Sequence, residues 1–119
     1  MKIVISATGP DPTDNVDPRF GRARWFIRYD SALESFSVLD NAASLDAAQG
    51  AGVQAAQMIV GGGAEVLLTG RCGPKAFAIL AAAGMQVYSG FEGPVLDAVR
   101  AWQKGDLNPL SAPDGVARH

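Results

Sequence analysis

The sequence predicts a single α/β domain: a mixed five-stranded sheet, built from an N-terminal β-hairpin extension and parallel βαβ units and flanked by three helices. Three observations predict it. Segments with strand and helix patterns follow one another as β, β, β, α, β, α, β, α. Two strand-to-helix junctions carry the same turn, Gly-x-x-Gly-Pro, at residues 70–74 and 90–94. The length, 119 residues, and the hydrophobic fraction, 48%, suit one buried core.

Residues 2–8 contain the β-branched run Ile3-Val4-Ile5, the signature of a central strand covered on both faces. The long loop 9–24 follows, in which Pro10, Pro12 and Pro18 exclude regular structure. Residues 25–30 and 35–39 form a hairpin, with Phe36 and Val38 alternating against Ser35 and Ser37. Ala48, Ala51 or Gly52, Ala55 and Ile59 share one face of a helix over residues 45–60, which Gly61-Gly62-Gly63 ends. Strand 65–69, the first repeated turn and helix 75–83 come next, then strand 86–89, the second turn and helix 95–104. In each turn the proline falls where a helix tolerates a missing N–H. Residues 1–105 thus form the domain, and residues 106–119, polar and rich in Pro and Gly, a flexible C-terminal tail.

Ten Lys and Arg stand against twelve Asp and Glu, so no global field draws the chain to nucleic acid or to an anionic membrane. No apolar run is long enough for a signal-peptide core or a membrane span, and the expected location is the cytoplasm. With one cysteine, Cys72, and one histidine, His119, neither an internal disulfide nor a structural zinc site can be built. No helix carries a long apolar seam, so the expected state is a monomer.

Ligands of open α/β sheets bind beyond the carboxyl ends of parallel strands. Loops 9–24, 70–74 and 90–94 lie there. Arg19, Arg22 and Arg24 in the first, with Arg71 and Lys75 in and after the second, gather half of the basic residues on one rim. Helices opening at Pro74 and Pro94 are expected to add free N–H groups and dipole ends. Gly70 and Gly73 are expected to let a bulky ligand approach the main chain, with Gly90 on the third loop. Between the first two, Cys72 is a candidate soft ligand with a thiol pKa lowered by the helix end and Arg71. This set suits a soft polyanion such as a metal-sulfide cluster. The competing reading pairs the loop arginines with Asp11, Asp14 and Asp17 and makes Cys72 an inert small residue. No nucleophile–base constellation assembles, and no enzyme activity is expected.

Asp17-Pro18-Arg19-Phe20-Gly21-Arg22-Ala23, an aromatic strand ending at Asp30, Gly50-Ala51-Gly52 opening a helix, and Thr69-Gly70-x-Cys72-Gly73-Pro74-Lys75-Ala76-Phe77 together resemble the dinitrogenase iron-molybdenum cofactor-binding family. The likeness extends to about Gly105 and is greatest to its small stand-alone members. It implies a ribonuclease-H-like fold and non-catalytic binding, storage or transfer of a metal-sulfur cluster, of molybdenum-copper sulfide type or, alternatively, iron-molybdenum or iron-sulfur. Carried over by motif, it points to Arg19, Phe20, Gly21 and Arg22, and to Gly70, Cys72, Gly73 and Pro74. Gln49 stands where members often have His before Gly-Ala-Gly, which argues for electrostatic capture rather than histidine ligation. The expected partner is the anionic cluster, with proteins that deliver it or are regulated by it. The alternatives are a ribonuclease-H-like metal-dependent phosphoesterase and a regulatory protein-interaction module.

Overall fold

The structure, a computed structural model, describes residues 1–46 and 50–114. Its single sheet has the order β3-β2-β1-β4-β5, with strands β1 (Lys2–Ala7), β2 (Trp25–Asp30), β3 (Ser35–Asp40), β4 (Val66–Leu68) and β5 (Gln86–Tyr88). β1 pairs antiparallel with β2 and parallel with β4, and β5 continues the parallel half. The mixed five-stranded sheet is therefore the expected one.

The apolar run of β1 is central because both of its faces are covered. Val4 shares one face with Phe26, Leu67 and Val87, beneath α2 (Ala51–Gly61) and α3 (Pro74–Ala82). Ile3, Ile5 and Ala7 share the other with Ile27 and Leu68, beneath Val95, Ala98 and Val99 of α4 (Val95–Gln103). Each fully buried Ile, Leu or Phe contributes about 1.5–3 kcal/mol of transfer free energy. Among the described residues no helix is long and apolar enough to cross a membrane.

Two expectations need correction. Four α-helices flank the sheet rather than three: a short α1 (Ala42–Leu45) ends where the helix expected over 45–60 was to begin, and that helix is α2, which starts only at Ala51. Gly50 stands between them at φ 70, a left-handed conformation that a continuous helix cannot contain; Ala48 and Gln49 lie outside the described residues. Loop 9–24 is not without regular structure, since Phe20–Arg22 forms a 3-10 turn beyond the last of its prolines. Beyond α4 the chain touches the body at two places: the Leu110 N–H donates to the Val87 carbonyl at 2.7 Å and the Asp114 N–H to the Cys72 carbonyl at 3.2 Å.

Candidate functional site

The rim at the carboxyl ends of β1 and β4 is built on two buried hydroxyls. Ser6 Oγ and Thr69 Oγ1 lie 2.7 Å apart, and Ser6 also bonds Asp17 twice, donating from Oγ to its carbonyl at 3.0 Å and accepting from its N–H at 2.8 Å. This pins loop 9–24 across the strand ends. The Phe20 N–H then donates to the Arg71 carbonyl at 3.1 Å, so Arg19 and Arg71 run side by side as an isolated parallel bridge.

Two glycines permit this docking. A Cβ on Gly70 would stand 2.5 Å from the Cα and carbonyl oxygen of Pro18, and one on Gly21 would stand 2.8 Å from the Cα of Gly52. Both glycines therefore serve backbone-to-backbone contact within the chain, where the sequence reading assigned Gly70 to ligand clearance. Gly73 differs: its φ of -70 suits any residue, and a Cβ there would meet nothing within 4 Å. It fronts open space.

Through Gly21 the 3-10 turn meets the first turn of α2, and a Cβ on Gly52 would lie 3.6 Å from that of Ala76 in the first turn of α3. Two helix N-termini therefore converge beside the arginine loop. Neither has a side-chain cap or an acidic residue in its first turn, so each presents about half a positive charge. The N-terminus of α2 is the part of this rim that the periodicity ran past, although Gly50-Ala51-Gly52 flags it as a helix start.

The N-terminus of α4 is not part of the open rim. Its Val95 and Leu96 N–H groups donate to the carbonyls of Asp14 and Pro12 at 2.9 and 3.1 Å. The two Gly-x-x-Gly-Pro turns are accordingly built differently: Gly90 and Gly93 sit at φ 84 and 82, whereas Gly73 is extended. Gly90 is required by its own turn's geometry.

The loop carboxylates do not pair with the loop arginines. Asp11 accepts from the Thr13 N–H and hydroxyl, Asp14 from the Asp11 N–H, and Asp17 from the Arg19 N–H. Bonds from the Thr13 backbone and side chain hold the Asp11 carboxyl below its ordinary pKa. Among the described residues the ion pairs are Arg24–Asp40, at 2.8 Å, and Arg100–Asp97, at 3.4 Å. Arg19, Arg22, Arg71 and Lys75 are exposed and outside both. Arg24 is committed elsewhere, since it also covers the Trp25 ring at 4.3 Å.

Phe20 is 1% exposed and packs on Phe26, with ring centroids 5.3 Å apart; it anchors the turn from beneath. Cys72 is 0% exposed within the same core. Burial first, and the negative Asp114 second, push its thiol up to about 12. This overturns the expectation of a lowered thiol pKa: the side chain is folded into the core, where loss of water outweighs any help from the helix end or Arg71. The thiol is predicted to be neutral at physiological pH, and to resist iodoacetamide at pH 8 in the folded protein while reacting within minutes in denaturant. Fast alkylation of the native protein would contradict this placement.

Among the described residues no three His, Cys, Asp or Glu side chains gather as a metal-ion site. What the rim offers is positive charge, helix-end N–H groups and open space in front of Gly73. These suit an anion rather than a bare metal ion.

The family description Dinitrogenase iron-molybdenum cofactor matches residues 1–105. Among solved structures, the apo form of the orange protein from Desulfovibrio gigas is similar at 42% identity and TM-score 0.91, covering 95% of each chain. A putative NifB protein from Thermotoga, of the DUF35 family, is 34% identical with TM-score 0.82, over 95% of this chain and 96% of that one. A putative dinitrogenase from Methanocaldococcus jannaschii, 18% identical with TM-score 0.68 over 95% of this chain and 97% of its own, shares the fold. No curated protein matches the chain.

Proposed function

Because the chain belongs to the dinitrogenase iron-molybdenum cofactor family, we propose that it binds, stores or transfers an anionic molybdenum-containing metal-sulfur cluster, of molybdenum-copper sulfide type, without catalytic turnover. The observation that carries this reading is the convergence of two uncapped helix N-termini with Arg19, Arg22, Arg71 and Lys75, none of them in an ion pair among the described residues.

The cluster is cargo rather than a resident group, and its sulfides are hydrogen-bond acceptors. The first-turn N–H groups of α2 and α3 donate to such acceptors without reorganising, because the helices already fix their direction. The four cations add long-range attraction, which salt weakens over a Debye length of about 10 Å at 0.1 M. Buried and neutral, Cys72 supports the turn and leaves the cluster's metals to their own sulfides. The protein is proposed to do this as a cytoplasmic monomer. The strand order β3-β2-β1-β4-β5 supports the ribonuclease-H-like description of the fold. The hydrolytic alternative would require clustered carboxylates to hold two metals, and Asp11, Asp14 and Asp17 are instead engaged by N–H groups of their own loop.

The test is to expose the purified protein to tetrathiomolybdate with a copper(I) salt, remove unbound reagent by gel filtration, and measure absorption and metal content. A coloured protein retaining both metals is expected. A colourless, metal-free protein would overturn the reading.

A further inference from the structure

The C-terminal segment does something at this rim that the capture of an anion does not require. Asp114 closes a reciprocal pair with Cys72, its Oδ1 accepting from the Cys72 N–H at 3.0 Å and its own N–H donating to the Cys72 carbonyl at 3.2 Å. A carboxylate thereby occupies a backbone donor of the Gly70–Pro74 turn, one residue from Arg71 and three from Lys75. Four residues earlier the segment is anchored. The Leu110 N–H bonds the Val87 carbonyl at 2.7 Å, and the Leu110 side chain packs against the core under α3. Pro109, just before this anchor, and Pro113, just before Asp114, limit the freedom of the segment.

We propose that residues 110–114 are a strap that closes the Gly70–Pro74 turn in the empty protein, with the Asp114 carboxylate standing in for the anion, and that an anion captured at the rim displaces it. The inference rests on the reading of the rim as an anion site. Two features make the strap releasable. Asp114 is exposed, so water can replace its bond to Cys72, and it makes no ion pair with Arg71 or Lys75 among the described residues. An incoming polyanion repels it and draws on the same positive potential around the Gly70–Pro74 turn, which leads into the N-terminus of α3. The negative charge of Asp114 also contributes to the raised pKa of the Cys72 thiol, in keeping with its closeness to the turn.

The experiment is a titration of the isotope-labelled full chain with tetrathiomolybdate alone, followed by amide NMR and repeated on Asp114→Asn and, as a charge-matched control on the same segment, Asp106→Asn. On saturation the Cys72 and Asp114 amides are expected to shift and exchange faster with solvent. Asp114→Asn keeps an acceptor for the Cys72 N–H but removes the charge that opposes the anion, and is expected to bind about fivefold more tightly, the gain from losing one unit charge at close range in water; Asp106→Asn is expected to bind like the unsubstituted protein. If the unsubstituted protein binds while those two amides stay unchanged, or if the two variants gain equally, the strap is overturned and the anion site stands. Failure of all three proteins to bind contradicts the anion site itself, and the strap with it.

Discussion

Gly70→Ala is expected to lower stability by about 3 kcal/mol, the upper end of the usual cost of forcing extra volume into a packed site. The new Cβ would lie 2.5 Å from the Cα and carbonyl oxygen of Pro18 and 2.8 Å from its carbonyl carbon. Neither side can yield cheaply. Gly70 follows Thr69, whose hydroxyl is bound to Ser6, and its carbonyl accepts from the Gly90 N–H at 2.9 Å. Pro18 is a rigid ring between Asp17, bonded to Ser6, and Arg19, whose N–H is held by Asp17 Oδ1 at 3.0 Å. At roughly 4 °C per kcal/mol for a chain of this size, the midpoint of thermal unfolding falls by about 12 °C. Gly73→Ala is the control, since its Cβ meets nothing within 4 Å; it is expected to melt like the unsubstituted protein. Calorimetry on the two variants checks both outcomes, and equal melting would contradict the close packing of loop 9–24 on the rim.

Replacing Arg19 and Arg22 together by alanine is expected to weaken tetrathiomolybdate binding by about tenfold or more at low salt. A unit charge about 4 Å from another gains about 1 kcal/mol even in bulk water, and two cations facing a dianion multiply that gain. Both side chains are exposed and unengaged by the loop carboxylates, so their loss leaves the fold intact. Arg24→Ala is expected to do less because that cation is already bound by Asp40 at 2.8 Å. Cys72→Ala should lower stability by about 1 kcal/mol through lost burial and change binding less than twofold. Isothermal titration over a range of salt concentrations gives the comparison. If Cys72→Ala abolishes binding and the double arginine variant does not, the thiol rather than the charge holds the cluster.

Much of this architecture is legible in local sequence. Ile3-Val4-Ile5 reads as a doubly covered strand because burial on two faces demands a continuous apolar run. Pro74 reads as a helix start because its ring removes only a donor that has no partner there. The basic residues of loops 9–24 and 70–74 read as a single rim because parallel strands put their carboxyl ends side by side. What could not be read depends on contacts between distant segments. The thiol of Cys72 is buried in the core cluster that also holds Phe20, Ala23, Ala55 and Ala76, and nothing next to it in sequence reveals that. The closed N-terminus of α4 depends on carbonyls about eighty residues earlier, at Pro12 and Asp14. Gly70 and Gly73 look alike in the motif, yet one meets Pro18 and the other open space. The break at Gly50 was visible in composition, but the apolar spacing of an Ala-rich stretch runs through it.

The most direct test of the central claim is to map where a thiomolybdate anion binds on the unsubstituted chain, by following every backbone amide during titration. The account predicts shifts concentrated in residues 19–22, 50–53 and 70–76, where the arginine loop and the first turns of α2 and α3 meet. Shifts concentrated instead at the opposite end of the sheet, around the cavity lined by Met1, Gln86, Tyr88 and Trp102, would contradict it.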